Sequence, residues 1–203
     1  MELLVKTFKA YLEESKKHSL HIFDIDDTLL HTTAKIHVKD KHGNTVQTLS
    51  NQEFNDHHLK PNHSYDFGEF RNAEKFSKES TPIHSMINKV KLVSNQPGHH
   101  VIFNTARANF DDKHKFLNTF KKHGIDMSKI HVIRAGNINK EGTPAAKKAL
   151  VIHGYINKHK YNDVHMYDDS KSNLKTFLDL RSKHASTKFH AHYVQGNESK
   201  PLE

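Results

Sequence analysis

What most limits the folds open to this chain is the alternation that begins at Val101. Val101-Ile102-Phe103 is an apolar run of buried-strand length, Asp111 to His123 has helical spacing and is closed by Gly124, and Ile130 to Ile133 is apolar again. Thr143-Pro144 opens a helix running to about His159, Val164 to Tyr167 reads as a strand, Ser170 to Lys183 as a helix, and Lys188 to Val194 alternates like a final strand. A Thr cap before Pro at the first helical position, and Gly after the last turn, are the chemical ends a helix needs. Strand and helix in regular succession predict an α/β fold with a parallel sheet covered by helices on both faces. In such a sheet ligands bind at the carboxyl ends of the strands.

The first half is less regular. Leu4, Phe8, Tyr11 and Leu12 recur at helical spacing, which predicts an amphipathic helix over Leu3 to Lys17. Ser19 to Phe23 is a short apolar run leading directly into Asp24, Asp26 and Asp27. Lys35 to Lys39 and Thr45 to Leu49 flank a turn in which Gly43-Asn44 can take positive φ angles, a hairpin signal. Ser50 to Ser80 is polar, carries Tyr65, Phe67, Phe70 and Phe76, and reads as a lid or binding loop whose aromatics form a small lid core, with base stacking as the alternative. Thr81 is expected to cap a helix with Pro82 at its first position and Ile83, Met86, Ile87, Val90 and Val93 on its inner face.

At 203 residues the chain has room for one domain and an insertion. Its 31 Lys and Arg against 23 Asp and Glu give a formal charge of +8, which attracts anions, but pairs such as Lys121-Lys122 read as solvated helix faces. The absence of cysteine removes disulfides, thiolate nucleophiles and cysteine-ligated zinc. No apolar run approaches ~20 residues and the first 17 lack a signal-peptide core, so a soluble, cytoplasmic protein is expected, with no membrane partner. Leu202-Glu203 is set aside as compatible with a cloning remnant. With 20 His, the pairs His57-His58, His99-His100 and His190-x-His192 arise by chance, and a histidine metal site is rejected.

Three carboxylates within four residues at the end of an apolar strand have no packing rationale, since like charges repel there unless they do chemistry or hold a cation. Thr105 follows Val101-Ile102-Phe103 and Asp168-Asp169 follows Val164 to Tyr167, so polar groups mark the same end of three strands. In order and context, Asp24-x-Asp26-x-Thr28, Thr105, a lysine near a helix start and Tyr167-Asp168-Asp169-Ser170 resemble the haloacid dehalogenase superfamily of phosphohydrolases. The resemblance spans about Ser19 to Leu180 apart from the insertion. It implies a Rossmann-like three-layer sandwich with a parallel central sheet and a small cap or flap after the first core strand, in a single domain with core 1–30 and 83–203 and insertion 31–82.

The activity it implies is Mg²⁺-dependent hydrolysis of a phosphomonoester through an aspartyl phosphate, on a nucleotide or other phosphorylated metabolite. Asp24 would be the nucleophile and Asp26 the acid and base, with Thr105 and Lys148 on the phosphate. Lys148 is preferred to Lys147 because Val151, Ile152, Tyr155 and Ile156 put it at the border of the buried stripe. Asp24, Asp26 (through its main chain), Asp168 and Asp169 would supply oxygen to Mg²⁺. Thr28, Asn104 and Arg107 are placed at the substrate; Arg107 would fork onto its phosphate or pair with Asp111 or Asp112. An Arg after the second motif and a paired Asp in the fourth are similar to the phosphatase domain of phage polynucleotide kinase-phosphatases, which makes a nucleic-acid 3′-phosphate end the alternative substrate. A non-catalytic binding module of the same fold is the remaining rival. Asp27 is expected to point away and serve structure.

Overall fold

A computed structural model describes residues 18–202, so the helix expected over Leu3 to Lys17 lies outside the described residues. Six strands form the central sheet in the order β11 (Glu198–Leu202), β10 (Lys188–Gln195), β9 (Asp163–Asp168), β1 (Ser19–Phe23), β7 (His99–Thr105), β8 (Ile130–Arg134). The five from β10 to β8 are mutually parallel and β11 closes one edge antiparallel. Helices cover both faces, and each face of the sheet carries its own apolar core. On one face Phe23, Val101 and Phe103 pack against α3 (His84–Ser94) and α4 (Lys113–Lys122). On the other, Leu20, Ile22, Ile102 and Met166 pack against α5 (Pro144–His159) and α6 (Lys171–Leu178).

The insertion carries its own small sheet, β4 (Thr45–Leu49), β3 (Ile36–Lys39) and β5 (Ser64–Asp66), over a satellite core of Ala34, Ile36, Val38, Leu49 and Phe70. The hairpin turn differs from the expectation in one detail: Gly43 alone takes a positive φ, +84°, while Asp40 accepts from the backbone N–H groups of His42 and Asn44. The stretch read as an irregular loop contains two capped helices. Ser50 and Glu53 form a reciprocal capping box for α1 (Asn51–Asp56), and Asn72 caps α2 (Ala73–Glu79). Ala73 and Phe76 of α2 join the main core, which ties the last part of the insertion to the sheet.

Thr81 is not a helix cap. Thr81–Pro82 forms β6, paired with β2 (Leu30–His31), and α3 begins at His84. A residue before proline is pushed out of the helical region, and here the extended pair closes the neck of the flap. Two further differences lie at the end of the chain. α6 stops at Leu178, with a tighter turn over Asp179–Lys183, and Leu202, set aside in the sequence, pairs with Ala191 in β11.

Candidate active site

β1 pairs with β7 on one side and β9 on the other, so the strand order switches direction at β1, and the carboxyl end of such a strand is where α/β sheets bind ligands. Phe23 is level with Phe103 and Tyr167, which sets Asp24 beside Asn104 and Asp168. The backbone N–H of Asp24 donates to the Tyr167 carbonyl at 3.0 Å. Beyond it the chain folds into a tight loop. The N–H groups of Leu29 and Leu30 both donate to the Ile25 carbonyl, and Asp27 takes a left-handed φ of 53°. Buried Ile25, Leu29 and Leu30 anchor the loop and hold Asp26 inward.

Lys148 is fully buried on α5, whose first turn is capped by Thr143. Its Nζ lies 2.8 Å from Asp24 Oδ1 and 2.8 Å from Asp168 Oδ2, whereas Lys147 remains partly exposed. Asp24 Oδ1 is buried against the Lys148 ammonium. Asp168 is fully engaged, accepting from Lys148, the Ser170 N–H and Asn173 Nδ2. Asp169 accepts from Thr28 Oγ1 at 3.4 Å and, on its other oxygen, from Gln52 Nε2 at 2.8 Å and Asn55 Nδ2 at 3.3 Å. Ligand oxygens of Asp24, Asp168 and Asp169 lie within 4.8 Å of one another.

Arg107 is the largest departure from expectation. It is buried and reaches neither Asp111 nor Asp112 nor open solvent: Nε and Nη2 grip the Asp26 carboxylate at 2.6–3.1 Å, and Nη1 donates to the Phe70 carbonyl at 2.7 Å. The rings of Phe70, Phe76 and Phe110 surround it, with its Cζ 4.6, 4.7 and 5.3 Å from their centroids. A guanidinium so occupied has no fork left for a phosphate. Thr28 and Asn104, also expected at the substrate, are engaged elsewhere. Thr28 is turned to Asp169, and Asn104 Nδ2 donates to the Lys148 carbonyl at 3.1 Å. Thr105 Oγ1 accepts from the Arg107 N–H at 3.1 Å and shapes the same loop. Asp26, expected among the metal ligands through its main chain, has its carboxylate on Arg107, outside the acidic triad.

Sequence reading missed the flap's amides. Asn51, Gln52 and Asn55 lie on one side of α1; Asn51 Nδ2 donates to Asp27 Oδ2 at 3.1 Å, and Gln52 and Asn55 donate to Asp169. Ser50-x-x-Glu53 was the available signal, since a capping box places a helix there and hence puts 51, 52 and 55 together.

The electrostatics follow from burial. Asp24 is pushed up to about 7, first by burial and then by the charges of Asp168 and Asp26, against the pull of Lys148. Asp169 is raised well above the usual carboxylate range by burial and by Asp168 and Asp24. Burial works against the Lys148 ammonium, but Asp168 and Asp24 outweigh it and raise its pKa. With Asp26 and Arg107 paired to each other, three buried carboxylates share one ammonium, and the crowding is what raises Asp24 and Asp169 toward their neutral forms. A hard divalent cation such as Mg²⁺ would supply the positive charge that lets all three ionise.

No helix among the described residues is long and apolar enough to cross a membrane. No protein-family model matches the chain, and no curated protein matches it.

Proposed function

We propose that the protein is a Mg²⁺-dependent phosphomonoester hydrolase of the haloacid dehalogenase type, with a Rossmann-like core, working through an aspartyl phosphate on Asp24. The observation that carries this reading is the gathering of three buried carboxylates around one buried lysine at the carboxyl end of a parallel sheet. Uncompensated buried charge costs several kcal/mol, roughly, and is retained where a cation and an anionic substrate use it.

The Asp24 carboxylate attacks phosphorus and the bond to the leaving oxygen breaks; Asp26, entering the cycle with a proton taken up from solvent, gives that proton to the leaving oxygen. Asp26 then takes a proton from the water that attacks the acyl phosphate, and phosphate leaves with Asp24 restored. Arg107 holds the Asp26 carboxylate through two nitrogens, so its reach is set before substrate arrives. Lys148 keeps Asp24 oriented and lends positive charge to the phosphoryl group, and Thr105 donates its hydroxyl to a phosphoryl oxygen. Asp24, Asp168 and Asp169 would hold Mg²⁺, which supplies Lewis acidity to the phosphoryl oxygens when bound.

The substrate we propose is a nucleotide or other phosphorylated metabolite. One observation favours the nucleic-acid end as a second reading: Phe67, exposed on the flap, stands edge-on against Phe54 and Phe70 and beside Tyr65, an aromatic step on which a base can stack. Phosphate release from p-nitrophenyl phosphate, a mononucleotide and a 3′-phosphorylated oligonucleotide tests both readings. Activity is expected to vanish with EDTA and to return with Mg²⁺, and turnover by metal-free enzyme would overturn the mechanism. A steep fall in oligonucleotide affinity with salt selects the nucleic-acid end.

A further inference from the structure

The opposite end of the sheet carries a second cluster of ligand groups. Asp163 and His165 are two residues apart on β9 and so face the same way, and His190 on β10 is the direct register partner of His165. Asp163 Oδ2 lies 3.2 Å from His165 Nε2, and Asp163 Oδ1 lies 2.9 Å from His190 Nε2. Ligand atoms of all three lie within 4.8 Å of one another. Asp163 and Asp168 are five positions apart on the strand, so this cluster is about 16 Å from the acidic triad at ~3.3 Å per residue.

We propose that Asp163, His165 and His190 form a separate site for a divalent late transition-metal ion, Zn²⁺ foremost. A tetrahedral zinc with bonds of about 2.0–2.1 Å sets neighbouring donor atoms about 3.3 Å apart, and Asp163 Oδ2 and His165 Nε2 stand at 3.2 Å. Hydrogen bonding alone leaves the cluster incomplete. The contact to His190 is short but poorly aligned, so Asp163 Oδ1 is buried without a hydrogen-bond partner. Two imidazoles and a carboxylate suit zinc better than Mg²⁺, which takes oxygen, so the two ends of the sheet select different ions.

The surroundings match what such a site needs. His165 Nδ1 lies 3.2 Å from His192 Nε2, so with Nε2 on the ion its other nitrogen donates to His192, fixing the tautomer. His21 stacks on His165 at 4.7 Å and 8°, and His99 stacks on His21 in turn, which holds the ring plane. His190 is the adjustable arm. Its ring is stacked on that of His165 at 4.5 Å and 14°, so both cannot point at one ion until His190 turns, and as the most exposed of the three it has room to do so. Partial exposure also gives the ion its way in.

The test uses the full chain in saturating Mg²⁺, so that the acidic triad is occupied, titrated with Co²⁺ and read by visible absorption, then with Zn²⁺ in competition. One equivalent of Co²⁺ with the intense bands of a four-coordinate site, displaced by Zn²⁺, is expected. His190→Ala, which alters a half-exposed side chain, should weaken binding at least ~10-fold, as should Asp163→Asn, while His57→Ala in the flap leaves it unchanged. Absence of a stoichiometric site, or Co²⁺ binding by His190→Ala equal to that of the native chain, would overturn the proposal. Neither result depends on the phosphatase reading.

Discussion

Two buried cations, Lys148 and Arg107, hold the carboxylates at the acidic end, and they respond differently to substitution. Lys148 is shared by Asp24 and Asp168, so Lys148→Met leaves both carboxylates without a counter-charge. In metal-free protein at pH 8 it should cost about 3–5 kcal/mol in urea unfolding, part of it recovered with Mg²⁺. Asp24→Asn removes charge from the overcrowded side. It should abolish phosphate release and raise the melting temperature of the metal-free protein at pH 8; substantial residual turnover would remove Asp24 as nucleophile. Arg107→Lys keeps the charge but loses the two-nitrogen grip on Asp26 and the stacking among Phe70, Phe76 and Phe110. A drop of about 10²-fold in kcat with little change in KM is expected, because general acid–base catalysis contributes about 10²–10⁴ and depends on placement.

Elements bring these side chains together through contacts that leave little slack. A Cβ at Gly136, in the turn after β8, would lie 2.3 Å from the Ala106 carbonyl oxygen and 2.8 Å from the backbone of Arg107. Gly136→Ala must therefore push on the loop that aims Arg107, and should cost about 1–3 kcal/mol as overpacking together with a loss of kcat like that of Arg107→Lys. Unchanged activity would mean that the loop has freedom the packing denies it. Helix α5 was readable from its ends, Thr143-Pro144 and the apolar stripe, because capping and amphipathicity are local. The neck strand Thr81–Pro82 was not, since its partner Leu30–His31 is about 50 positions away in the chain and the same residues also suit a helix start.

The two ends of the molecule pull its stability in opposite directions with pH. At the carboxyl end, the folded pKa of Asp24, about 7, lies above its unfolded value, so its contribution to stability is full below about pH 4 and lost as pH rises through 7. Toward the other end His21 is lowered to about 3 by burial, then by His165 and His99. Its folded value lies below the unfolded one, so stability present above about pH 6.5 is lost as pH falls toward 3. Thermal unfolding across pH 4–8 should separate the two: Mg²⁺ raises the melting temperature more at pH 8 than at pH 5, a difference that shrinks in Asp24→Asn. His21→Phe should flatten the acid limb. A Mg²⁺ effect equal at both pH values would remove the acidic triad as its site.

The sequence alone determined the parallel α/β core, the end of the sheet where Asp24, Lys148, Asp168 and Asp169 meet, and the presence of a flap after the first strand. Those are local properties: periodicity, caps, and acids placed directly after apolar runs. Only the tertiary structure decided that Arg107 grips Asp26 and not Asp111 or Asp112, that Thr28 and Asn104 bond to Asp169 and Lys148, and that Gln52 and Asn55 reach Asp169. It also brought His165 beside His190, from separate strands, where the sequence offered only His190-x-His192. The physical reason is common to all of these. A side chain's partner across the sheet or under the flap is set by register and crossover connections, and those depend on how the whole core packs.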